Sequence, residues 1–339
     1  MSISMYDDYK LGTCTEMCPK KEVQLRTKHN LLDPLEKSLG LCVKAYSRSA
    51  AGAKETQPCD LRTPDICVKT AEFLINKIII PQALDNSKYA FVLDRLRSIR
   101  QELVIQNIND ERTIRIYEIC VKFLLYSGYE LCESSATRVF KFDSRQNHDQ
   151  LQSCLKTLIH LYTELEVRTS DYLEMICVYL LLDLDSIQPM IWLLNQKSPE
   201  LSHNIQILKA IHIIKNYRER NFIAIFRNIS DLNAFPLMAF HFNLPKVYRV
   251  ILDVMSSAYG VPSCQYPMKN FCQNFAVNQN ECLSLIRTHL KINMEEDESS
   301  YIPFRKNTLI SNPPTSIQKM SVVDDHLKGF NRTSLFSFR

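Results

Sequence analysis

Between Ile66 and Ile80 the apolar residues Cys67, Ala71, Leu74, Ile75, Ile78 and Ile79 recur at steps of three and four, and Pro81 closes the run. That spacing gathers them on one face of an α-helix. The same period returns in 89–108, where Tyr89, Val92, Leu96, Ile99 and Leu103 make a stripe flanked by arginines. Residues 110–127 predict a third helix, with Asp110 as its N-cap and Gly128 in a left-handed position beyond its end. Leu151, Leu155, Leu158, Tyr162 and Leu165 mark a fourth. From Ser170, a capping residue, to Leu184 the chain is apolar nearly all round, which predicts a helix at the centre of a domain. Further helical runs cover 204–217, 219–229 and 246–258, interrupted by Pro236 and Pro245. Short connections between amphipathic helices predict stacked antiparallel pairs. The expected fold class is therefore mainly α, a helical solenoid, although no clean sequence repeat accompanies it.

The two ends read differently. Residues 1–65 lack a sustained period, and 44–60 has the Ser, Thr, Gly and Pro content of a linker, so an extended N-terminal arm is expected over 1–65. The helical domain then spans 66–259. After Gly260 one short helix is predicted over 262–275, and Asn278-x-x-Glu281 is a capping box for a second. Tyr301–Phe304 and Thr308–Ile310 are short β-type stretches, so 260–310 resembles a small winged-helix module. The remainder, 311–339, has little periodicity and is expected to be a mobile tail.

Composition narrows the chemistry. The 339 residues include only 6 glycines, none spaced for a GxGxxG or GxxxxGK[ST] phosphate cradle. The N-terminus has no basic region followed by an apolar one, and the longest apolar runs fall well short of a bilayer span. A soluble intracellular protein without membrane contact is the expectation, and its 12 cysteines then read as thiols rather than disulfides. Net charge is +4 and the sequence pI about 8.4, so any nucleic-acid affinity must come from local patches.

Candidate sites are few. Cys14 and Cys18, with His29, Cys42 and Cys59 further on, offer part of a zinc set, but a closed zinc site needs four ligands, normally as two tight pairs. The second pair is missing, so Cys14 and Cys18 read as anchors for the arm. No histidine lies in a nucleophile context, and Glu164/Glu166 and Asp183/Asp185 read as helix-end residues. The expectation is a protein with no catalytic residues, no cofactor, no metal and no small-molecule substrate. Arg97 and Arg100 project about 60° apart on a helix and form a candidate phosphate- or partner-binding row, or a structural pair balanced by nearby carboxylates. Lys20, Lys21, Arg26 and Lys28 cluster in the arm. Lys209, Lys215, Arg218, Arg220 and Arg227 face only Glu219 between 209 and 227, with Tyr217, Phe222 and Phe226 interleaved. Basic and aromatic residues together suit single-stranded nucleic acid or an acidic partner; the alternative is a solvated face whose aromatics point inward.

Several strings occur in a distinctive order. They are Gly12-Thr-Cys14-x-x-Met17-Cys18-Pro19 with Glu22 and Arg26, Val43-Lys-Ala-Tyr-Ser-Arg48 with Ala50, Ala51 and Gly52, and Asp60-Leu-Arg-x-Pro64. Phe91-Val-x-Asp-Arg-Leu-Arg-Ser-Ile-Arg-Gln101, Glu130-Leu-Cys-Glu133, 147–161 and Asn216-Tyr217 with Phe226-Arg227 follow. Together, over about residues 10 to 292, they resemble the Sac-three/GANP family, related to the PCI proteins. The resemblance implies a PCI-like solenoid ending in a winged helix, acting as a non-enzymatic scaffold. Cys14, Met17, Cys18, Pro19, Glu22 and Arg26 would then be the structural motif that anchors the arm. The expected partner is another PCI-type subunit, with RNA as a second candidate. Long members organise a nuclear-pore-associated complex in messenger-RNA export, and short ones are tied to centrosome duplication and spindle assembly. The expectation is a short form, in the nucleus or cytoplasm and at the centrosome or spindle. Phe-Gly repeats and a long centrin-recruiting helix are not found between 1 and 339, so pore tethering and centrin recruitment are not expected.

Overall fold

The computed structural model describes residues 11–48, 56–133, 142–261, 263–291, 300–311 and 318–336. Among these the chain is mainly α, with two short strands, and divides into two units that meet in sequence at Thr169 and Ser170.

In the first unit, α1 (Lys20–Lys28) and α2 (Pro34–Leu39) lie within the segment read as an extended arm. Local sequence accounts for α2: Asp33 and Glu36 form a capping box, Pro34 opens the helix, and Gly40 leaves it at φ 65°. Then come α3 (Pro64–Leu74), continued by a π-helical turn over Ile75–Ile79, α4 (Asn86–Ile105), α5 (Glu111–Glu130) and α6 (Ser144–Leu165). Asp110 caps α5 as expected, accepting from the Arg112 and Thr113 N–H groups. The helix does not stop at Gly128. It runs one further turn, because that turn buries Tyr129 and Leu131, and a buried aromatic and leucine outweigh the roughly 1 kcal/mol cost of a helical glycine. Packed by α3, α4 and α6, α5 is buried on almost every side. Asn147 of α6 links three helices: its amide N–H donates to Leu124 O at 3.0 Å and its Oδ1 accepts from the Tyr89 hydroxyl at 3.1 Å.

The second unit is built on α7 (Tyr172–Leu181), against which α8 (Gln188–Asn195), α10 (Ile205–Arg218) and α12 (Ala234–His241) pack. The remaining helices are α9 (Pro199–His203), α11 (Phe222–Ile229), α13 (Leu244–Ala258), α14 (Met268–Phe275), α15 (Gln279–His289), α16 (Ser321–Leu327) and α17 (Arg332–Leu335). Pro236 and Pro245 begin helices rather than interrupting one, since first-turn N–H groups have no partner within the helix. Asn243, between α12 and α13, donates to Leu181 O at 2.8 Å and accepts from Leu184 N at 3.2 Å, closing the end of α7. The pairs α5–α6 and α10–α11 pack on each other, consistent with a helical solenoid.

Beyond α13, β1 (Tyr266–Pro267) pairs antiparallel with β2 (Tyr301–Ile302), Tyr266 facing Ile302. A second antiparallel bridge joins Leu290 to Leu309. The capping box predicted at Asn278 and Glu281 opens α15. Met320 and Val323, in the segment read as a tail, are buried, and α16 packs on α12.

Candidate functional site

The glycine-led string lies along the backbone at 58–63. Thr13 N donates to Pro58 O, Cys14 N to Leu61 O and Thr63 N to Cys14 O, each at 2.9–3.0 Å. Gly12 N donates to Gln106 Oε1 at 2.8 Å, and Gln106 Nε2 to Arg62 O at 3.0 Å. Glycine is required here by close approach, since a Cβ on residue 12 would sit 2.5 Å from Arg62 O and 2.6 Å from Leu61 O.

Two buried carboxylates organise what lies beneath. Glu102 of α4 accepts from Arg62 Nε at 2.7 Å, from Lys44 Nζ and from the Cys67 thiol, while Arg62 Nη2 donates to Ser98 Oγ at 3.1 Å. Glu36 of α2 pairs with Arg26 and with Arg95, the latter at 3.2 Å, and accepts from Val43 N and Asp33 N at 2.9 Å. Burial alone would push the Glu36 carboxyl up. The Val43 and Asp33 N–H groups, the Arg26 hydrogen bond and the Arg95 charge outweigh it and hold Glu36 below the usual carboxylate range.

The segment 43–47 is held residue by residue between the Met17 motif, α1 and α4. Lys44 N donates to Met17 O at 3.0 Å, Ala45 N to Glu22 Oε1 at 3.0 Å and Tyr46 N to Asp94 Oδ2 at 3.1 Å. Gln101 Nε2 donates to Ser47 O at 2.8 Å. The Arg97 guanidinium lies over the Tyr46 ring, 4.4 Å from its centroid. The ordered strings that looked separate in sequence are thus partners. Cys14, Met17, Cys18, Pro19, Glu22 and Arg26 all belong to this assembly, with Cys18, Pro19 and Arg26 buried. Arg26 therefore leaves the basic arm cluster, whereas Lys20, Lys21 and Lys28 stay exposed.

An open cleft of about 510 Å³ lies beside α1, lined by Met17, Cys18, Lys20, Val23, Leu41 and Cys42 among others. Cys42 Sγ accepts from Arg26 Nη1 at 3.1 Å. Among the described residues no three His, Cys, Asp or Glu side chains are grouped to hold a metal ion.

Arg97 and Arg100 do not form one surface row. Arg100 is half-buried, donating to Cys154 Sγ at 2.8 Å and Gln150 Oε1 at 2.7 Å. In the second unit Lys209 pairs with Asp231 at 3.2 Å, and Lys215 lies 3.9 Å from Glu219. Lys215, Arg218, Arg220 and Arg227 are exposed. Two of the interleaved aromatics are not available for stacking with bases: Phe222 and Phe226 are buried, Phe226 stacking on Tyr248 at 5.4 Å, while Tyr217 is half-buried and its hydroxyl donates to Asp185. Glu36, Arg62, Arg95, Glu102 and Cys42 were not singled out from sequence for these roles. The capping box at 33–36 was a signal for Glu36, and Arg62 stood inside a quoted string.

Known proteins share stretches of this sequence. A 164-residue stretch is 33% identical to SAC3 family protein 1 of Schizosaccharomyces pombe, covering 46% of this chain and 15% of that protein. Protein xmas of Drosophila melanogaster is 27% identical over 240 residues, 65% of this chain and 11% of its own length. SAC3 family protein B of Arabidopsis thaliana is 28% identical over 240 residues, 64% of this chain and 14% of its own. The chain thus matches only a small part of each of these relatives. The model of the SAC3/GANP family matches residues 17–296, which run from the Met17 motif through α15, and the chain belongs to the SAC3/GANP family.

Proposed function

We propose that this protein is a non-enzymatic scaffold that assembles a protein complex serving messenger-RNA export or processing. The observation that carries the reading is the family match over residues 17–296. The geometry supports it, because the motif residues bind one another in an ion and hydrogen-bond network that ties the arm to α4. The names of the relatives xmas and SAC3 family proteins are not those of enzymes.

The partner in this reading is a protein, another PCI-type subunit, bound without a cofactor or small-molecule substrate. Two features support it. Ile187, Ile191 and Leu194, at one helical spacing along α8, are 52%, 42% and 76% exposed, and exposed apolar stripes mark interaction surfaces. The two short helices α14 and α15 and the strand pairings around them support reading 260–310 as a small winged-helix module that would offer an edge to the partner. A nuclear or cytoplasmic location follows from the role, and centrosome or spindle work would be a second use of the same scaffold. Tagging the endogenous protein and identifying what co-purifies through the cell cycle tests the reading. Export or processing factors support it; centrosomal proteins without them defeat the export role.

A second reading, direct RNA binding, is favoured by the exposed Arg218, Arg220 and Arg227. If reversing the charges of Lys209, Arg218 and Arg220 leaves RNA affinity and its salt dependence unchanged, that reading fails.

A further inference from the structure

Two thiol pairs in the first unit share one arrangement: each has an arginine hydrogen-bonded to one sulfur. In α5 and α6, Arg100 donates to Cys154, whose neighbour is Cys120, and both cysteines are sealed in the core. In the arm, Arg26 donates to Cys42, whose neighbour is Cys18, but here both cysteines are among the residues lining a solvent-open cleft of about 510 Å³. Arg26 cannot swing away from Cys42, since it is also held by Glu36 and by Val43 O at 3.0 Å.

A fixed guanidinium beside a sulfur favours the thiolate, the form that reacts with electrophiles. We propose that Cys42 and Cys18 form a peroxide-reactive dithiol, with Cys42 the nucleophile and Cys18 the thiol that resolves it into an intramolecular disulfide. The roles follow from position. Arg26 donates to Cys42 at 3.1 Å and Cys42 is only partly buried, whereas Cys18 is buried beside it. The hydrogen bond from Cys18 and the Arg26 charge draw Cys42 down, and that same bond together with burial pushes Cys18 up.

The oxidant is a hydroperoxide. The Cys42 thiolate attacks one peroxide oxygen, the S–O bond forms as the O–O bond breaks, and the departing oxygen takes up a proton as water. Cys18 sulfur then attacks Cys42 sulfur, the S–S bond forms, the S–O bond breaks, and the hydroxyl leaves with the Cys18 proton as a second water. Two thiols lose two electrons in all, and one hydrogen peroxide becomes two waters. The disulfide joins the Cys18 motif to the segment after α2 and removes the thiolate that faces Arg26.

The test uses the reduced, full-length protein and hydrogen peroxide, read by non-reducing peptide mapping. The expected first product is the Cys18–Cys42 linkage, while Cys120 and Cys154 remain thiols. In Cys18→Ser, Cys42 should instead accumulate as a sulfenic acid captured by dimedone. Oxidation of the exposed Cys59 ahead of Cys42, or no linkage at doses that oxidise Cys59, overturns the proposal. Should Cys18→Ser not fold, alkylation of the wild-type protein by iodoacetamide at pH 7 decides. Cys42 is expected to react about ten-fold or more faster than Cys59, and an equal or slower rate refutes the assignment.

Discussion

Replacing Glu36 by glutamine keeps the shape of the side chain and removes the charge on which two buried arginines converge. The side chains of Arg26 and Arg95 are 9% and 7% exposed and that of Glu36 is 0% exposed, so water does little to compensate either guanidinium. Breaking a buried pair by removing one partner costs about 3–5 kcal/mol. Two features reduce this. Arg95 keeps Asp94, and Arg26 keeps Glu22 at 3.7 Å. The glutamine carbonyl can also still accept from the Val43 or Asp33 N–H. A loss of about 2–4 kcal/mol is therefore expected for Glu36→Gln, and more for Glu36→Ala, which leaves both N–H groups without an acceptor. Because the chain has two units, a single global transition should not be assumed. Urea unfolding followed by circular dichroism should be joined by hydrogen exchange over 20–46 and 86–105. In a double-mutant cycle, Glu36→Gln with Arg26→Gln should show coupling of about 1 kcal/mol or more. A loss under about 1 kcal/mol with unchanged protection over 20–46 would show that the Glu36 network does not hold the arm.

The same carboxylate gives a pH signature. A folded-state value below the ordinary Glu value contributes stability that is complete above about pH 4.3 and is lost as pH falls through the folded value. The stability gap between wild type and Glu36→Gln should therefore narrow as pH falls below about 4.3, and a gap constant from pH 7 to 3 would contradict the sign. Gly12→Ala should cost about 1–3 kcal/mol, because its Cβ meets backbone atoms that cannot yield. Gly329→Ala, whose Cβ would lie 3.7 Å from its nearest neighbour, should stay within about 0.5 kcal/mol, both variants being read by urea unfolding. Asn243→Ala, which strands Leu184 N and Leu181 O in the core, should lower stability by about 1–3 kcal/mol, with lost exchange protection at the end of α7.

Much of the helical architecture was legible because it is written locally. Asp110, the pair Asn278 and Glu281, and the stripes of α4 and α6 act within a few residues, and their helices form where the spacing puts them. Local signals failed where tertiary burial outweighed them. Gly128 reads as a stop, yet Tyr129 and Leu131 carry α5 onward; Pro236 reads as a break, yet it sits in the first turn of α12. The site was legible as strings but not as a structure. Glu36 meets Arg95 at a separation of 59 residues and Arg62 meets Glu102 at 40, and nothing in the spacing of either pair announces the contact. The same holds for charge. Arg26 looks like a surface cation in sequence and is held within the first unit, Arg100 takes the structural alternative left open for it, and Phe222 and Phe226 face the core.

A scaffold of the proposed kind must hold a protein partner. The most direct measurement is to purify the tagged, endogenous protein with and without ribonuclease and to determine the mass and stoichiometry of what elutes with it. The expected result is a partner in fixed ratio whose association survives ribonuclease. A protein that elutes alone, or whose companions are released when RNA is digested, is not such a scaffold.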